Sequence, residues 1–389
     1  MSDLDVLDIS GVPIPPEEVR EAVDDGFKEN SAPAFKLCFL GVGQGGGRIA
    51  HQFYKYGYRR VCAVNTAIAD ITPLELPEPN KLTIGVGGGA GGDPIEGQRV
   101  LQEHREDVYN LMRKSFGAAF DRVLIAATAG GGTGAGGVFE AVNIAHDLLD
   151  KLELRGKDSA DPQVGVIVAL PKESDGRKAS ATSAQILQRL YELVAPKSGK
   201  PRISPLIILD NQRIDRLYPK TPAGKFWETA NHSVCSIFHL LNTVAARESR
   251  YTSFDKKDLE ALLKSGLLVF GAMPVRDWKT REGLSNAIRE NLTKNLLVGS
   301  LSIKSGKTAG CIVVGKREVL DNDLPQAYID EGLSMLARTI QPSSSVRYGI
   351  YAGNAEGVVV YTLIGGLDCP LDRINALRKV GGLQDWDGA

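Results

Sequence analysis

The chain has 389 residues and a formal net charge of −1 at pH 7, which argues against a general nucleic-acid binder but leaves a local basic face open. Its 43% hydrophobic and 24% charged residues are typical of a globular protein of two or three domains. The five cysteines are widely spaced without a C-x-x-C pair, which predicts reduced thiols in a cytoplasmic protein and no zinc site. No apolar run approaches the ~18 residues of a membrane span and the N-terminus is acidic, so we expect neither a transmembrane segment nor a signal peptide.

Residues 1–33 are acidic and contain four prolines, a composition that predicts a loosely held extension. This extension is either a solvated tail or an arm that binds an adaptor or docks subunits.

The first glycine-rich segment lies between a predicted buried strand and a predicted helix. It contains G-x-G-x-x-G at Gly41, Gly43 and Gly46, which by itself favours a dinucleotide-binding fold and an NAD(P)-dependent oxidoreductase. That fold places an acidic residue about twenty positions later, on the ribose. Asn65 stands there instead, and Asp70 lies too far into the next loop, which counts against a dehydrogenase.

Two further glycine-rich segments occupy residues 85–92 and 130–137, each before a predicted helix. The segment at 130–137 also follows a predicted buried strand, and it contains more glycine than an ordinary turn needs. A flexible linker is seldom flanked directly by a buried strand and a helix, which argues against that alternative. Without Cβ atoms its backbone can turn tightly and bring N–H groups against a bulky anion. The following helix adds its own N–H groups and its positive dipole end. These properties predict a phosphate-binding loop.

Strands alternate with helices from the first glycine-rich segment to residue 210, and each polar loop follows a strand. This order predicts a Rossmann-like parallel α/β sheet whose loops share one edge, where ligands bind. Three glycine-rich segments at one edge can surround a polyphosphate, whereas a dinucleotide fingerprint uses one. The predicted strands are 35–40, 60–64, 123–127, 163–170 and 205–209, and the predicted helices are 49–56, 95–113, 138–149 and 179–194.

A long helix is predicted at 226–246 from apolar residues at helical spacing. Trp227 and Asn231 lie four residues apart on one face. They are either a core tryptophan and a surface amide, or a ring that stacks on a base and an amide that recognises its edge. In the next predicted helix, Asp255 takes the N-cap position and Asp258 the first turn, so both acids are either helix caps or functional groups.

From residue 267 onward the strands and helices predict a smaller, mixed α+β domain. Gly306-Lys307-Thr308 matches only the end of a Walker A loop, because Leu301 stands where that loop needs its first glycine. The tail from residue 366 carries a short amphipathic helix that packs within the chain or docks on a partner. The predicted division is an extension at 1–33, a ligand-binding α/β domain at 34–224, a central helix at 225–248, an α+β domain at 249–366 and a tail at 367–389.

The segment at 130–136 resembles the G-G-G-T-G-[SAT]-G signature of the tubulin/FtsZ superfamily. Further motifs match in order, at the spacing of the family, across about residues 35–365. The resemblance implies that 34–224 is a GTP-binding domain and 249–366 an activation domain, with GTP or GDP and Mg²⁺ as cofactors. The matched nucleotide-binding positions are Gln44, Gly45, Gly46, Gly47, Arg48, Asn65, Ala90, Gly91, Gly92, Gly131, Gly132, Thr133, Gly134, Ala135, Gly136, Glu173, Arg177, Asn211, Trp227 and Asn231.

The resemblance also implies roles within this set. Glu173 and Arg177 keep the spacing that contacts the ribose side in FtsZ. Asn211 and Asn231 take the base-recognising positions, and Trp227 takes the position of the aromatic residue that stacks on guanine. The segment around residue 90 resembles the loop that senses the γ-phosphate.

The resemblance says less about the residues that bind Mg²⁺ than about those that bind the nucleotide. No side chain is implied as a direct ligand, and Gln44 is the candidate for a contact to Mg²⁺ through water. Arg48 replaces an asparagine of FtsZ at a position where the CetZ group carries a basic residue, and 170–173 also looks CetZ-like.

Asp255 and Asp258 match the D-x-x-D spacing of the family's catalytic loop, which inserts into a neighbour's nucleotide site. They follow the long helix, which on this fold carries them away from the glycine-rich segments. The resemblance therefore implies a head-to-tail homopolymer in which assembly completes a GTPase site, serving cell division, cell shape or DNA positioning. Ser253, Lys256 and Lys257 depart from the family pattern, so the alternative is a nucleotide-binding filament protein with little or no GTPase activity.

Overall fold

The computed structural model describes residues 33–156, 160–217, 219, 221–294, 297, 301–341, 344–353 and 357–388. The predicted extension at 1–33 thus lies outside the described residues except at its last position. The chain forms two compact units. The first unit comprises Phe35–Gln212 with the residues from Cys369 onward, and the second contains Arg213–Asp368.

The described part of the first unit is built on a sheet of parallel strands. These strands are β1 (Leu37–Val42), β2 (Val61–Asn65), β3 (Lys81–Thr83), β4 (Arg122–Thr128), β5 (Val164–Leu170) and β6 (Leu206–Asp210). Their order is β3-β2-β1-β4-β5-β6. All except the short edge strand β3 are almost fully buried, because helices cover both faces of a parallel sheet. The predicted strands are found, shifted by at most two residues.

Helices connect these strands. They are α1 (Gly43–Lys55), α2 (Ile68–Ile71), α3 (Pro94–Glu103), α4 (Arg105–Phe116), α5 (Thr133–Lys151), α6 (Arg177–Val194) and, after β6, α7 (Asn211–Leu217). The first glycine-rich segment is mostly the start of α1 and not a loop. The single helix predicted at 95–113 is two helices, since His104 leaves helical geometry with φ −99° and ψ 21°. Its Nε2 accepts a hydrogen bond from the backbone of Gly85, a tertiary contact without a local sequence signal.

The second unit is a mixed α+β structure, and the two units together confirm the predicted fold class. Its described elements are α8 (Ala223–Val244), α9 (Lys256–Leu263), β7 (Leu267–Val275), α10 (Gly283–Lys294), β8 (Thr308–Gly315), α11 (Arg317–Asn322), α12 (Gln326–Thr339), β9 (Ser345–Ala352) and β10 (Val358–Leu367). Helix α8 corresponds to the predicted long helix. The sheet of this unit has the order β7-β10-β8-β9, in which β10 runs antiparallel to both neighbours and β9 runs parallel to β8.

The C-terminal helix α13 (Leu371–Gly381) packs on α6 within the first unit. Ile374 and Leu377 are buried. Gly381 approaches α6 so closely that an added Cβ atom would lie 2.7 Å from the Cα atom of Ala181. Of the two alternatives for the tail, the structure therefore shows packing within the chain, and the predicted tail at 367–389 is largely part of the first unit.

A buried arginine ties β4 to the chain before β5 and β6. Arg122 is 2% exposed, and its Nη2 contacts both carboxylate oxygens of Asp161 at 2.9 and 2.7 Å. Its Nη1 donates to the carbonyl oxygen of Ser204. A charge buried this deeply is tolerated only when it is paired and hydrogen-bonded.

We predict that Arg122→Ala lowers the free energy of unfolding by about 3–5 kcal/mol, because it leaves the Asp161 carboxylate buried without its partner. Urea denaturation followed by circular dichroism measures this change. The matched control is Arg99→Ala, whose exposed pairs with Glu96 and Glu103 are worth about 1 kcal/mol or less. Equal losses in the two variants would contradict the assigned role.

Candidate functional site

The three glycine-rich segments of the first unit meet through their backbones. A Cβ atom added to Gly43, at the start of α1, would lie 2.9 Å from the backbone nitrogen of Gly134 in α5. One added to Gly132 would lie 2.8 Å from the Cβ atom of Ala90, in the segment at 85–92. The segments that follow β1 and β4 and precede α3 therefore form one continuous edge.

The glycines of this edge fall into two kinds. Gly46 and Gly136 serve close packing, since an added Cβ atom would lie 2.1 Å from a backbone oxygen of β4 and 1.9 Å from the carbonyl oxygen of the first residue of α3, respectively. Gly91 and Gly92 have φ values of 57° and 68° and no neighbouring atom within 4 Å of such a Cβ atom. Their conformation favours glycine and leaves open backbone that a ligand can approach.

Helices α1 and α5 begin without a capping side chain. The N-cap residues, Val42 of α1 and Gly132 of α5, have no side chain that accepts a hydrogen bond from the first backbone N–H groups of the helix. The first turn of each helix also contains no acidic residue. By contrast, α3 is capped by Asp93, whose Oδ1 accepts from the backbone nitrogen of Ile95 at 2.9 Å. The first N–H groups of α1 and α5 therefore lack helical partners, and together with the helix dipoles they favour an anion.

Gln44 lies in the first turn of α1, and its Nε2 donates a 2.6 Å hydrogen bond to Oδ1 of Asp70 in α2. Asp70, which the sequence placed too far into its loop for a ribose contact, is thus brought to the glycine-rich edge by α2. Arg48, one turn further along α1, is exposed. None of the sequence motifs indicated that Asp70 would lie at this edge.

The end of β2 is joined to α5 by a buried pair of hydroxyl groups. The Oγ1 atoms of Thr66 and Thr133 are 2.6 Å apart, and both residues are at most 7% exposed. The neighbouring Asn65 is 3% exposed, and its Oδ1 accepts from the backbone nitrogen of Ala67 at 3.2 Å. Asn65 therefore shapes the turn after β2 next to the N-terminus of α5.

The loop after β5 contacts the start of α7, which directly follows β6. The backbone nitrogen of Glu173 donates a 2.8 Å hydrogen bond to Oε1 of Gln212, which places Glu173 beside the segment that contains Asn211. The side chains of Glu173 and Arg177 are exposed, whereas Asn211 is 8% exposed. The structure thus brings together the predicted ribose and base positions of the first unit.

Trp227 and Asn231 belong to the second unit, on α8. The Trp227 side chain is 36% exposed and its ring meets that of Phe226 edge-on, with centroids 5.0 Å apart. It is therefore not a core tryptophan, and part of its ring remains available for stacking. A role of both residues at a base stays a prediction.

Asp255 and Asp258 form a capping box at the start of α9. Oδ1 of Asp255 accepts from the backbone nitrogens of Lys257 and Asp258 at 2.8 and 3.0 Å, and Oδ2 of Asp258 accepts from the backbone nitrogen of Asp255 at 3.1 Å. The capping role considered from the sequence is therefore present. Asp255, Lys256 and Lys257 are exposed and Asp258 is half-buried.

A long-range ion pair also holds Asp258. Nε of Arg347 in β9 lies 3.2 Å from Oδ1 of Asp258, while its Nη1 donates to hydroxyl oxygens of Thr308 and Ser345 at 2.7 Å. Burial raises the pKa of the nearby Tyr351, and the negative charges of Asp258 and Asp255 also raise it. No local pattern in the sequence singles out Arg347.

The described residues contain no group of three or more histidine, cysteine, aspartate or glutamate side chains arranged to hold a metal ion. In the same part of the chain, no helix combines the length and the apolar character needed to cross a membrane.

No protein-family profile matches the sequence, but individual relatives do. The chain is 22% identical over 245 residues to the tubulin-like protein TubZ of Bacillus cereus, a match that covers 59% of this chain and 51% of TubZ. It therefore spans about half the length of that relative. Cell division protein FtsZ of Aquifex aeolicus is 24% identical over 360 residues, covering 88% of this chain and 86% of FtsZ. Tubulin-like protein CetZ4 of Haloferax volcanii is 32% identical over 165 residues, 39% of each chain.

Solved structures share the fold across nearly the whole chain. A GTPγS-form protofilament of TubZ from Bacillus thuringiensis serovar israelensis superimposes with a TM-score of 0.78 at 18% identity, covering 94% of this chain and 96% of that chain. The GDP-bound monomer of CetZ1 from Haloferax volcanii gives a TM-score of 0.68 at 22% identity, covering 89% and 98%. The fold is thus that of TubZ and CetZ, which is the tubulin/FtsZ fold. In sequence the chain is similar to TubZ, CetZ and FtsZ proteins.

We predict that Gly136→Ala lowers the free energy of unfolding by about 1–3 kcal/mol or more, because the new Cβ atom pushes α5 away from α3. Gly131→Ala is the matched control from the same segment, since its Cβ atom would meet only Oγ1 of Thr128, at 3.4 Å. Urea denaturation measures both variants. A Gly136→Ala protein as stable as the Gly131→Ala protein would show that this close approach is not a constraint.

Proposed function

We propose that the chain binds GTP and GDP with Mg²⁺ at the glycine-rich edge of the first unit and polymerises head to tail as a GTPase. The observation that carries this proposal is the meeting of three glycine-rich segments around α1 and α5, two helices that begin without a capping side chain. The GTPγS and GDP forms of TubZ and the GDP-bound CetZ1 monomer support the choice of ligand.

The glycine-rich edge is proposed to hold the triphosphate through its main chain. N–H groups at the starts of α1 and α5 would bind phosphate oxygens, and the open backbone of Gly91 and Gly92 would receive the γ-phosphate. Phosphoryl transfer depends on positioning and charge neutralisation more than on covalent help from the protein. Bound Mg²⁺ would supply part of that neutralisation, with Gln44 touching it through water and no side chain proposed as a direct ligand.

The nucleoside is proposed to contact side chains that follow β5 and β6, and side chains of α8. Glu173 and Arg177, exposed after β5, would take the ribose. The amides of Asn211 and Asn231 would recognise guanine, while the exposed part of the Trp227 ring would stack on it.

Self-association is supported by large apolar side chains around the glycine-rich edge. Among the described residues Ile68, Val86 and Ile95 are 60%, 102% and 78% exposed, and the backbone nitrogen of Ile68 donates to the carbonyl oxygen of Gly87 beside Val86. Such apolar surface is a candidate for burial in a protein contact. TubZ and CetZ2 form protofilaments in solved structures, and we propose a second copy of this chain as the partner here.

Hydrolysis is proposed to require that partner. Asp255 and Asp258, held at the start of α9, would orient the attacking water at the nucleotide of the adjoining subunit. A contact in which one face docks on a different face of the next copy does not close, so it produces a filament. Catalysis then follows assembly, and hydrolysis weakens the contact that made it possible.

We predict that phosphate release per subunit rises with protein concentration above a threshold, because only assembled subunits contain a complete site. Sedimentation, phosphate release and electron microscopy with GTP or GDP measure assembly and turnover together. A rate per subunit that does not change with concentration would show that one chain contains the whole site. An affinity for ATP equal to that for GTP would favour a different nucleotide class. So would a change in NADH fluorescence on mixing with the protein, if GTP did not bind.

We predict that Asp255→Asn and Asp258→Asn polymerise with GTP but release phosphate about 10²-fold more slowly, because each loses a carboxylate needed to orient water. Asparagine preserves most of the helix cap, so folding is retained. Glu260→Gln, on the same helix, is the control and keeps wild-type turnover. Wild-type turnover in either aspartate variant would remove that residue from the proposed mechanism.

The alternative function is a nucleotide-binding filament protein with little turnover. It is favoured by Lys256 and Lys257, which are exposed between the two acids, and by Ser253, whose Oγ accepts from the backbone of Ser249 at 2.8 Å. Filaments that form with GTP but release no phosphate would establish this alternative. The cytoplasmic location, the cellular process and an adaptor at either end of the chain stay predictions.

A further inference from the structure

The guanidinium of Arg373, in α13, forms an ion pair and one hydrogen bond with the last residue of β6. Its Nε lies 2.8 Å from Oδ2 of Asp210, and its Nη2 donates to Oδ1 of Asp210 at 2.9 Å. The Arg373 and Asp210 side chains are only 10% and 15% exposed. A largely buried ion pair that also has a charge-assisted hydrogen bond restrains the positions of both side chains.

The same arginine reaches the loop after β5. Its Nη2 lies within 3.4 Å of the carbonyl oxygen of Pro171, two residues before Glu173. One side chain from the C-terminal helix therefore contacts both the loop that contains Glu173 and the strand end that leads into Asn211.

Hydrogen bonds carry this contact into the proposed nucleoside-binding segments. Oδ1 of Asp210 also accepts from the backbone nitrogen of Gln212 at 3.1 Å, and Oε1 of Gln212 accepts from the backbone nitrogen of Glu173 at 2.8 Å. Asn211 lies between Asp210 and Gln212, so its backbone is held on both sides. Removing the guanidinium leaves Asp210 without its charged partner and loosens the whole chain of contacts.

We propose that Arg373 is a positioning residue for guanine recognition, and that α13 is part of the nucleotide-binding machinery. Arg373 acts through Asp210 and Gln212, which set the position of the Asn211 amide and of the ribose-binding loop. The polar contacts described for Arg373 are with Asp210 and Pro171, so the proposed phosphate-binding backbone at α1 and α5 should keep its geometry. The inference rests on the proposed GTP-binding function, because it assigns Asn211 to the base.

Two kinds of substitution in the full chain test the proposal. Arg373→Gln removes the guanidinium group and its charge. Asp210→Asn removes the charge of the partner carboxylate while keeping the shape of that side chain. Lys379→Ala, at an exposed position of the same helix, is the control. Calorimetric titration with GTP and with ATP measures the affinity for each nucleotide, and hydrogen exchange of the ligand-free proteins measures the protection of the Gln212 and Glu173 amides.

We expect both variants to lose about tenfold in GTP affinity, the equivalent of one good hydrogen bond. ATP affinity should fall by less, because ATP shares the ribose contacts but not the guanine contacts, so the ratio of GTP to ATP affinity decreases. Both should also exchange faster at the Gln212 and Glu173 amides, whereas Lys379→Ala behaves as wild type. The double variant Arg373→Gln/Asp210→Asn should lose no more than either single variant, because the two residues act as one unit.

Two results would overturn the proposal. An unchanged ratio of GTP to ATP affinity in both variants would show that the ion pair only stabilises the fold, as would an equal loss for the two nucleotides. Unchanged amide exchange would show that the contacts do not hold the segments. A wild-type protein without preference for GTP would instead overturn the proposed function. The exchange measurement separates that outcome from failure of the positioning role of Arg373, because it needs no nucleotide.

Discussion

The constraint on which the first unit depends is backbone packed directly against backbone. Gly46 lies against β4 and Gly136 against the start of α3 so closely that no side chain fits between them. This contact brings α1, α3 and α5 to one edge, where the uncapped N-termini of α1 and α5 lie. Because main-chain atoms build this edge, few side chains are needed to keep it. This is consistent with a shared fold at 18% identity.

Helices α1 and α5 differ from α9 in how they begin. Helices α1 and α5 of the first unit begin without a capping side chain, whereas α9 of the second unit begins with a capping box formed by Asp255 and Asp258. The starts of α1 and α5 therefore offer hydrogen-bond donors, and the start of α9 presents carboxylates. The capping geometry and the ion pair to Arg347 also explain why two acidic side chains can be held in a fixed arrangement at a partly exposed position.

The sheet of the first unit was predictable because its strands are unbroken runs of apolar residues, and the meeting of the glycine-rich segments follows from parallel topology. β3 was not, because three half-buried residues carry little pattern. The start of α1 at Gly43 was not predicted either. Gly43 has a φ of 73°, which favours glycine, and its backbone packs closely on Gly134 of α5. Contacts such as Gln44 to Asp70 and Arg373 to Asp210 join residues 26 and 163 positions apart, and no local pattern specifies them.

The cysteines offer a practical consequence. No disulfide joins them, and Cys38, Cys62, Cys235 and Cys311 are buried, with burial raising the pKa of each thiol. Buried, protonated thiols react slowly with electrophiles. Cys369 is only partly buried and lies just before α13. A thiol-directed dye added to the unmodified protein should therefore label the chain mainly at Cys369, where its emission reports on the surroundings of the C-terminal helix.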